Sequence, residues 1–127
     1  MILVLLFLNF QIKGQVLCWQ PLASVQVADL DQFSMDNREN IFYSDAAGNV
    51  VKLNEKGEEV NHYSPMVQSK LNQLEAFWTV NVFLFSADRQ QCVILDVFLN
   101  PISTFSIPQE KIGIVKAATL GSNNIFW

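Results

Sequence analysis

Three side chains in this sequence have types and positions that could serve ligand binding or catalysis: Asp45, Asp88 and His62. Asp45 and Asp88 each follow a short apolar, aromatic segment, and carboxylates at matching places in a repeat could hold a ligand along a shared channel. The competing interpretation is turn formation, in which an aspartate accepts hydrogen bonds from its own backbone. Because hairpin turns are expected at both places, we favour turn formation.

His62 is the only histidine of the chain and lies in the alternating segment 59–64. A catalytic base would need a carboxylate or nucleophile beside it, so we expect an ordinary half-exposed strand residue. One histidine also excludes a histidine cluster around a metal within a single chain. No phosphate-binding loop and no Ser-His-Asp order occurs. The sequence therefore predicts no catalytic residue, no cofactor and no metal site.

An acidic stretch contains Asp29, Asp31, Asp36 and Glu39. Carboxylate oxygens of this kind suit calcium. Their spacing differs from the calcium-loop pattern, which places Asp or Asn at alternate positions followed by glycine and a late glutamate. We therefore expect a solvated turn.

Composition limits the classes of partner. The chain has 127 residues, is 50% hydrophobic and 16% charged, and carries a net charge of −4, which predicts one folded domain. Lys and Arg total only 8 residues, so the basic face of a nucleic-acid binder is not expected. A polybasic membrane-surface patch is not expected for the same reason. The predicted ligand is an unidentified protein or glycan.

The N-terminus contains an uninterrupted apolar run at 2–8. The run is too short to span a bilayer but fits the core of a secretory signal peptide. We expect a signal peptide over 1–15, a linker over 16–24 and an exported protein that is periplasmic, surface-located or secreted. A buried first strand is the alternative. A lipid anchor at Cys18 is not favoured, because small residues are missing just before it.

Two cysteines, Cys18 and Cys92, could form a disulfide in an exported protein. Cys92 begins a very apolar segment, which favours a buried free thiol instead.

A short phrase, Asn followed by Ile or Val and then Phe, starts at residues 40, 81 and 124. A period of about 42 residues is typical of propeller blades with four strands each. Turn residues divide the chain between the phrases into segments with strand-like patterns. The expected strands are 25–36, 41–44, 50–54, 59–64, 71–79, 82–86, 92–99, 102–107 and 112–120. A short helical turn near 66–71 is a minor alternative. The sequence predicts an all-β fold of antiparallel four-stranded meanders.

The stretch NIFYSDAAGNVVKLNEKGEEV at 40–60 resembles a blade of NHL-like or six-bladed β-propeller proteins. The resemblance rests on the strand 41–45, the turn at Gly48 and Asn49, and the segment 52–57. It implies a partial β-propeller over 25–127. Its parts would be a blade at 25–65, a blade at 71–108 and an incomplete blade at 112–127.

A closed propeller typically needs four to eight blades, more than this sequence contains. Three arrangements are therefore open: the N-terminal part of a longer propeller, self-association, or a small β-sandwich. The expected function is that of an exported, non-enzymatic binding or scaffold module. The alternative is the N-terminal part of a propeller enzyme whose catalytic residues lie in blades absent from this sequence.

Overall fold

The computed structural model describes residues 18, 20–76, 80–123 and 125–127. Within them the chain forms two antiparallel four-stranded sheets, in each of which consecutive strands are neighbours. The predicted all-β fold of four-stranded meanders is confirmed. The predicted signal peptide at 1–15 lies outside the described residues.

The first sheet follows the order of its strands in the chain. Its inner strands are rich in β-branched and aromatic residues on both faces, which suits a pleated, partly buried surface. Its strands are β1 (Leu30–Met35), β2 (Ile41–Asp45), β3 (Val50–Leu53) and β4 (Glu59–Tyr63).

The second sheet repeats this order, and its inner strand β6 is buried at every residue. The predicted strand 92–99 is too long, because the strand ends at Leu95 and Asp96 opens a hairpin turn. The strands are β5 (Gln73–Glu75), β6 (Val82–Ser86), β7 (Gln91–Leu95) and β8 (Pro101–Ser106).

A single helical turn, α1 (Gln109–Ile112), follows the second sheet. The alternative of a helical turn near 66–71 is wrong, since those residues form an irregular connection between the sheets. Within the described part of the chain, no helix combines the length and the apolar character needed to cross a bilayer.

Five hairpins share one backbone conformation, a type I turn followed by a residue with positive φ. In each, the amide of the fourth residue donates to the carbonyl of the first, at 2.9–3.3 Å. The positive-φ residue is glycine at Gly48, where a Cβ would collide with the Ser69 carbonyl oxygen. The five turns are 36–40, 45–49, 54–58, 87–91 and 96–100.

Each sheet has two unlike faces, which we name by their phenylalanines. The forward face contains Phe42 in the first sheet and Phe83 in the second, and the back face contains the residues that alternate with them. The forward face of the first sheet packs against the back face of the second. This core contains Phe42, Val50, Leu74, Val82, Leu84, Val93 and Leu95.

The forward face of the second sheet is covered by the described residues 113–123 and 125–127. Leu120 packs on Phe83 and Phe85, and Phe126 lies with its ring centroid 5.9 Å from that of Phe83. The buried Gln90 side chain holds this segment by exchanging two 2.7 Å hydrogen bonds with the backbone of Val115. Each forward face in the described chain therefore packs against the next part of the sequence.

A hydrogen bond recurs at these contacts. Ser34 lies opposite Phe42, and its Oγ accepts the backbone N–H of Ala76 in the second sheet at 3.0 Å. Glu75 lies opposite Phe83, and its carboxylate accepts the backbone N–H of Leu120 at 3.3 Å. Matching positions of the two sheets therefore hold the part of the chain that follows them.

Candidate functional site

Asp45 lies at the start of the β2–β3 turn and is a structural residue of that turn. Its carboxylate accepts the backbone N–H groups of Ala47 and Asn49 at 2.9 and 3.0 Å, and the Asn49 side-chain amide at 2.7 Å. Partial burial acts to raise the pKa of Asp45, but the hydrogen bonds from Asn49, Ala47 and Gly48 outweigh it and lower that pKa. The Asp45 carboxylate therefore accepts hydrogen bonds from residues of its own hairpin turn and stabilises that turn.

Asp88 occupies a different place, the second position of the β6–β7 turn, where it is exposed. The first position of that turn is Ala87, which has no polar side chain. His62 lies on β4, where its Nδ1 is 3.6 Å from the Glu59 carboxylate and its side chain is 71% exposed. In the described residues no hydrogen bond or ion pair joins Asp45, Asp88 and His62, so they do not form a common site.

An open cleft of about 330 Å³ lies between the two sheets, where the turns 36–40 and 96–100 meet the ends of the β5–β6 connection. Phe42 and Val82 contribute buried apolar surface to it. Its polar and rim residues include Asp36, Arg38, Lys52, Val80 and Phe98. Its volume falls in the lower part of the range for small-molecule pockets, about 300–1,000 Å³.

Lys52 joins the two sheets across this cleft. It lies on β3 opposite Phe42, and its Nζ donates a 2.8 Å hydrogen bond to the carbonyl oxygen of Val97 in the second sheet. The same Nζ lies 5.6 Å from the centroid of the Phe42 ring, within the range of a cation–π contact. Backbone and aromatic contacts therefore fix the ammonium group at the wall of the cleft.

The positive charge of Lys52 lowers the pKa of two acidic side chains, Asp36 and Asp96. Burial acts to raise the pKa of Asp36, yet hydrogen bonds from Asn40 and Arg38 and the charge of Lys52 lower it overall. For Asp96, the Asn100 side-chain and backbone hydrogen bonds are the main causes of a lowered pKa. Both side chains are therefore ionised at neutral pH and bonded within their turns.

Arg38 and Lys52 are not among the site residues that the sequence predicts. A local signal existed for the turns, since Asp and Asn stand four residues apart at 36–40, 45–49 and 96–100. No such signal existed for Lys52, because its partner Val97 is 45 residues away.

Other candidate chemistry is sparse in the described ranges. They contain no group of three or more His, Cys, Asp or Glu residues arranged to hold a metal ion. Cys18 is exposed and Cys92 is buried, and both are free thiols, so the predicted buried thiol is confirmed. Burial raises the pKa of the Cys92 thiol, which keeps it protonated and unreactive at neutral pH.

In comparisons with known protein families and with curated proteins, no family and no protein matches this chain. The two meander sheets, stacked forward face on back face, are consistent with propeller blades.

Proposed function

We propose that this chain is an exported, non-enzymatic β-propeller segment of the NHL-like type that acts as a binding or scaffold module. Its partner is the exposed apolar surface at the opposite end of a second copy of the chain. The apolar run at 2–8 supports export. The observation that carries the proposal is the uncovered back face of the first sheet.

The back face of the first sheet is apolar but exposed, unlike the same face of the second sheet. Phe33 is 74% exposed and Ile41 is 41% exposed, whereas Leu84 on the second sheet is 1% exposed. Tyr43 is half-buried and Leu53 is buried on the same face, where residues of the segment 23–27 border a groove of about 380 Å³. Contiguous apolar surface of this kind marks an interaction site.

The far end of the molecule carries a second apolar surface. Ile114, Ile125 and Trp127 are each at least half exposed, on the segment that covers the forward face of the second sheet. The two exposed surfaces lie at opposite ends of a stack whose internal contacts join unlike faces. Contacts between unlike surfaces join copies head to tail and generate rings or open chains. Self-association through these ends is thus the simplest form of the proposed docking.

The test is sedimentation velocity of the full chain from low to high micromolar concentration. We expect the mass to rise with concentration for the wild type and to remain monomeric for Phe33→Asp, because a buried unpaired carboxylate opposes docking. Met66→Asp is the matched control, since Met66 is fully exposed on the connection between the sheets. It should associate as the wild type does. A wild-type chain that stays monomeric throughout, or a Phe33→Asp chain that associates normally, would contradict the proposal.

A further inference from the structure

The cleft between the sheets contains two cations with unused hydrogen-bond donors. One of the three N–H groups of the Lys52 ammonium donates a hydrogen bond to the Val97 carbonyl oxygen. Arg38 is exposed at the cleft, and among the described residues only its backbone N–H has a partner, Asp36. Within the described residues no ion pair involves Lys52 or Arg38. Lys52 interacts with the charges of Asp36 and Asp96 beyond ion-pair distance, and its two remaining N–H groups can bond a ligand.

The acidic groups beside these cations are already engaged. Asp36 accepts hydrogen bonds from Arg38 N, Asn40 N and Asn40 Nδ2, at 2.8, 2.9 and 2.8 Å. Asp96 accepts the matching three bonds in its own turn and is not part of the cleft lining. The lining therefore holds two cations and one carboxylate, although the whole chain carries a net charge of −4. This local balance favours an anionic ligand.

Apolar side chains stand next to the cations. Phe98 is 62% exposed and Val80 is 78% exposed, and both line the cleft. An exposed aromatic ring beside charged donors suits a ligand that presents an apolar group close to its anionic group.

We propose that the cleft binds a short acidic peptide, with an Asp or Glu carboxylate held by Arg38 and Lys52 and a neighbouring apolar side chain against Phe98. Guanidinium and ammonium groups bind carboxylates through charge-assisted hydrogen bonds. A peptide carries a carboxylate and an apolar side chain on adjacent residues, which matches the proximity of these groups in the cleft. This binding goes beyond the docking of sheets, because it uses the opposite side of the first sheet.

The experiment uses the full chain and two fluorescein-labelled hexapeptide pools, with central Glu-Leu in one and Gln-Leu in the other. Fluorescence anisotropy should show roughly tenfold tighter binding of the Glu-Leu pool, the effect of a charge-assisted hydrogen bond. Arg38→Gln and Lys52→Met should each remove most of this preference. Added salt should weaken the preference.

Lys56→Gln is the matched control, since Lys56 is exposed in the 54–58 turn, away from the cleft. It should retain the preference. Arg38→Gln changes an exposed side chain, so it tests the site even if Lys52→Met disturbs the contact between the sheets. Equal binding of the two pools, no binding of either, or an unchanged preference in Arg38→Gln would overturn the inference. So would displacement by sodium glucuronate without a preference between the peptides, which would identify an acidic sugar as the ligand.

Discussion

The inner strands of the second sheet are packed on both faces, whereas the first sheet is packed on its forward face and leaves much of its back face to solvent. The first sheet covers the back face of the second through Phe42 and Val50, and Leu120 covers the forward face of the second. On the first sheet the matching back-face residues Phe33 and Ile41 are exposed. The two sheets therefore have the same strand order but differ in how many of their faces are covered by other parts of the chain.

This difference shows that the local sequence of a meander specifies the sheet and not its surroundings. Both sheets have apolar residues on both faces of their inner strands, a pattern that occurs where a sheet is covered on each side. The composition of the first sheet thus suits burial of both faces, but only its forward face is buried against another part of the chain. The predictions below test that contrast, from the largest expected effect to the smallest.

Truncation of one back-face side chain in each sheet should give the largest difference between the two sheets. Leu84→Ala removes a side chain that is 1% exposed, and we expect a loss of about 2–5 kcal/mol in the free energy of unfolding. Ile41→Ala on the first sheet should cost less than about 1 kcal/mol, because the side chain keeps much of its contact with water. Urea unfolding of the dilute full chain measures both.

The control for this comparison is protein concentration. If the back face of the first sheet docks another copy, the cost of Ile41→Ala should grow as the chain is concentrated, while the cost of Leu84→Ala should not. Equal losses for the two variants in dilute solution would show that the two back faces are covered alike.

The turn between the inner strands provides a second contrast. Asp45→Ala removes three hydrogen bonds to a carboxylate, so we expect a loss of about 1–3 kcal/mol in unfolding free energy. The corresponding turn of the second sheet already has alanine, Ala87, at its first position. Asp88→Ala in that turn should change stability by less than about 0.5 kcal/mol, because Asp88 is exposed. Thermal unfolding of both variants tests the contrast, and similar losses would contradict it.

The smallest expected effect is on pH dependence. The pKa of Asp45 is lowered in the folded chain, so its stabilising contribution is present above the unfolded value of about 3.9. That contribution is lost as the pH falls through the lower folded pKa. The difference in unfolding free energy between wild type and Asp45→Ala should therefore be constant near neutral pH and shrink below about pH 4. If this difference in unfolding free energy stays constant in acid, the negative charge of Asp45 does not stabilise the turn.

The sheet architecture could be predicted from the sequence because its signals are local. Turn residues such as Gly48 and Asn49 and the apolar strands around them specify hairpins without reference to the rest of the chain. The strand boundary at Leu95 was missed because the apolar residues Val97 to Leu99 look like a strand, although Asp96 and Asn100 close them into a turn.

The cleft could not be predicted because it depends on how the two sheets dock. The role of Lys52 requires Val97 of the other sheet, and the strand sequence does not indicate which distant carbonyl it meets. Asp45 and Asp88 looked equivalent in the sequence because each follows an apolar strand. A shift of one position within the turn separates them, since Asp45 opens its turn and Asp88 is the second residue of its own.

The pairing of consecutive strands also determines how the chain can fold during synthesis. A ribosome adds about 5–20 residues per second, whereas a hairpin forms in about 1–10 μs, so each hairpin can close as soon as its second strand emerges. The first sheet can therefore assemble while Val82 and Leu84 have yet to emerge from the ribosome. Its forward face, with Phe42 and Val50, is then the surface on which the later sheet condenses. The direction of translation thereby sets the order in which the stack grows.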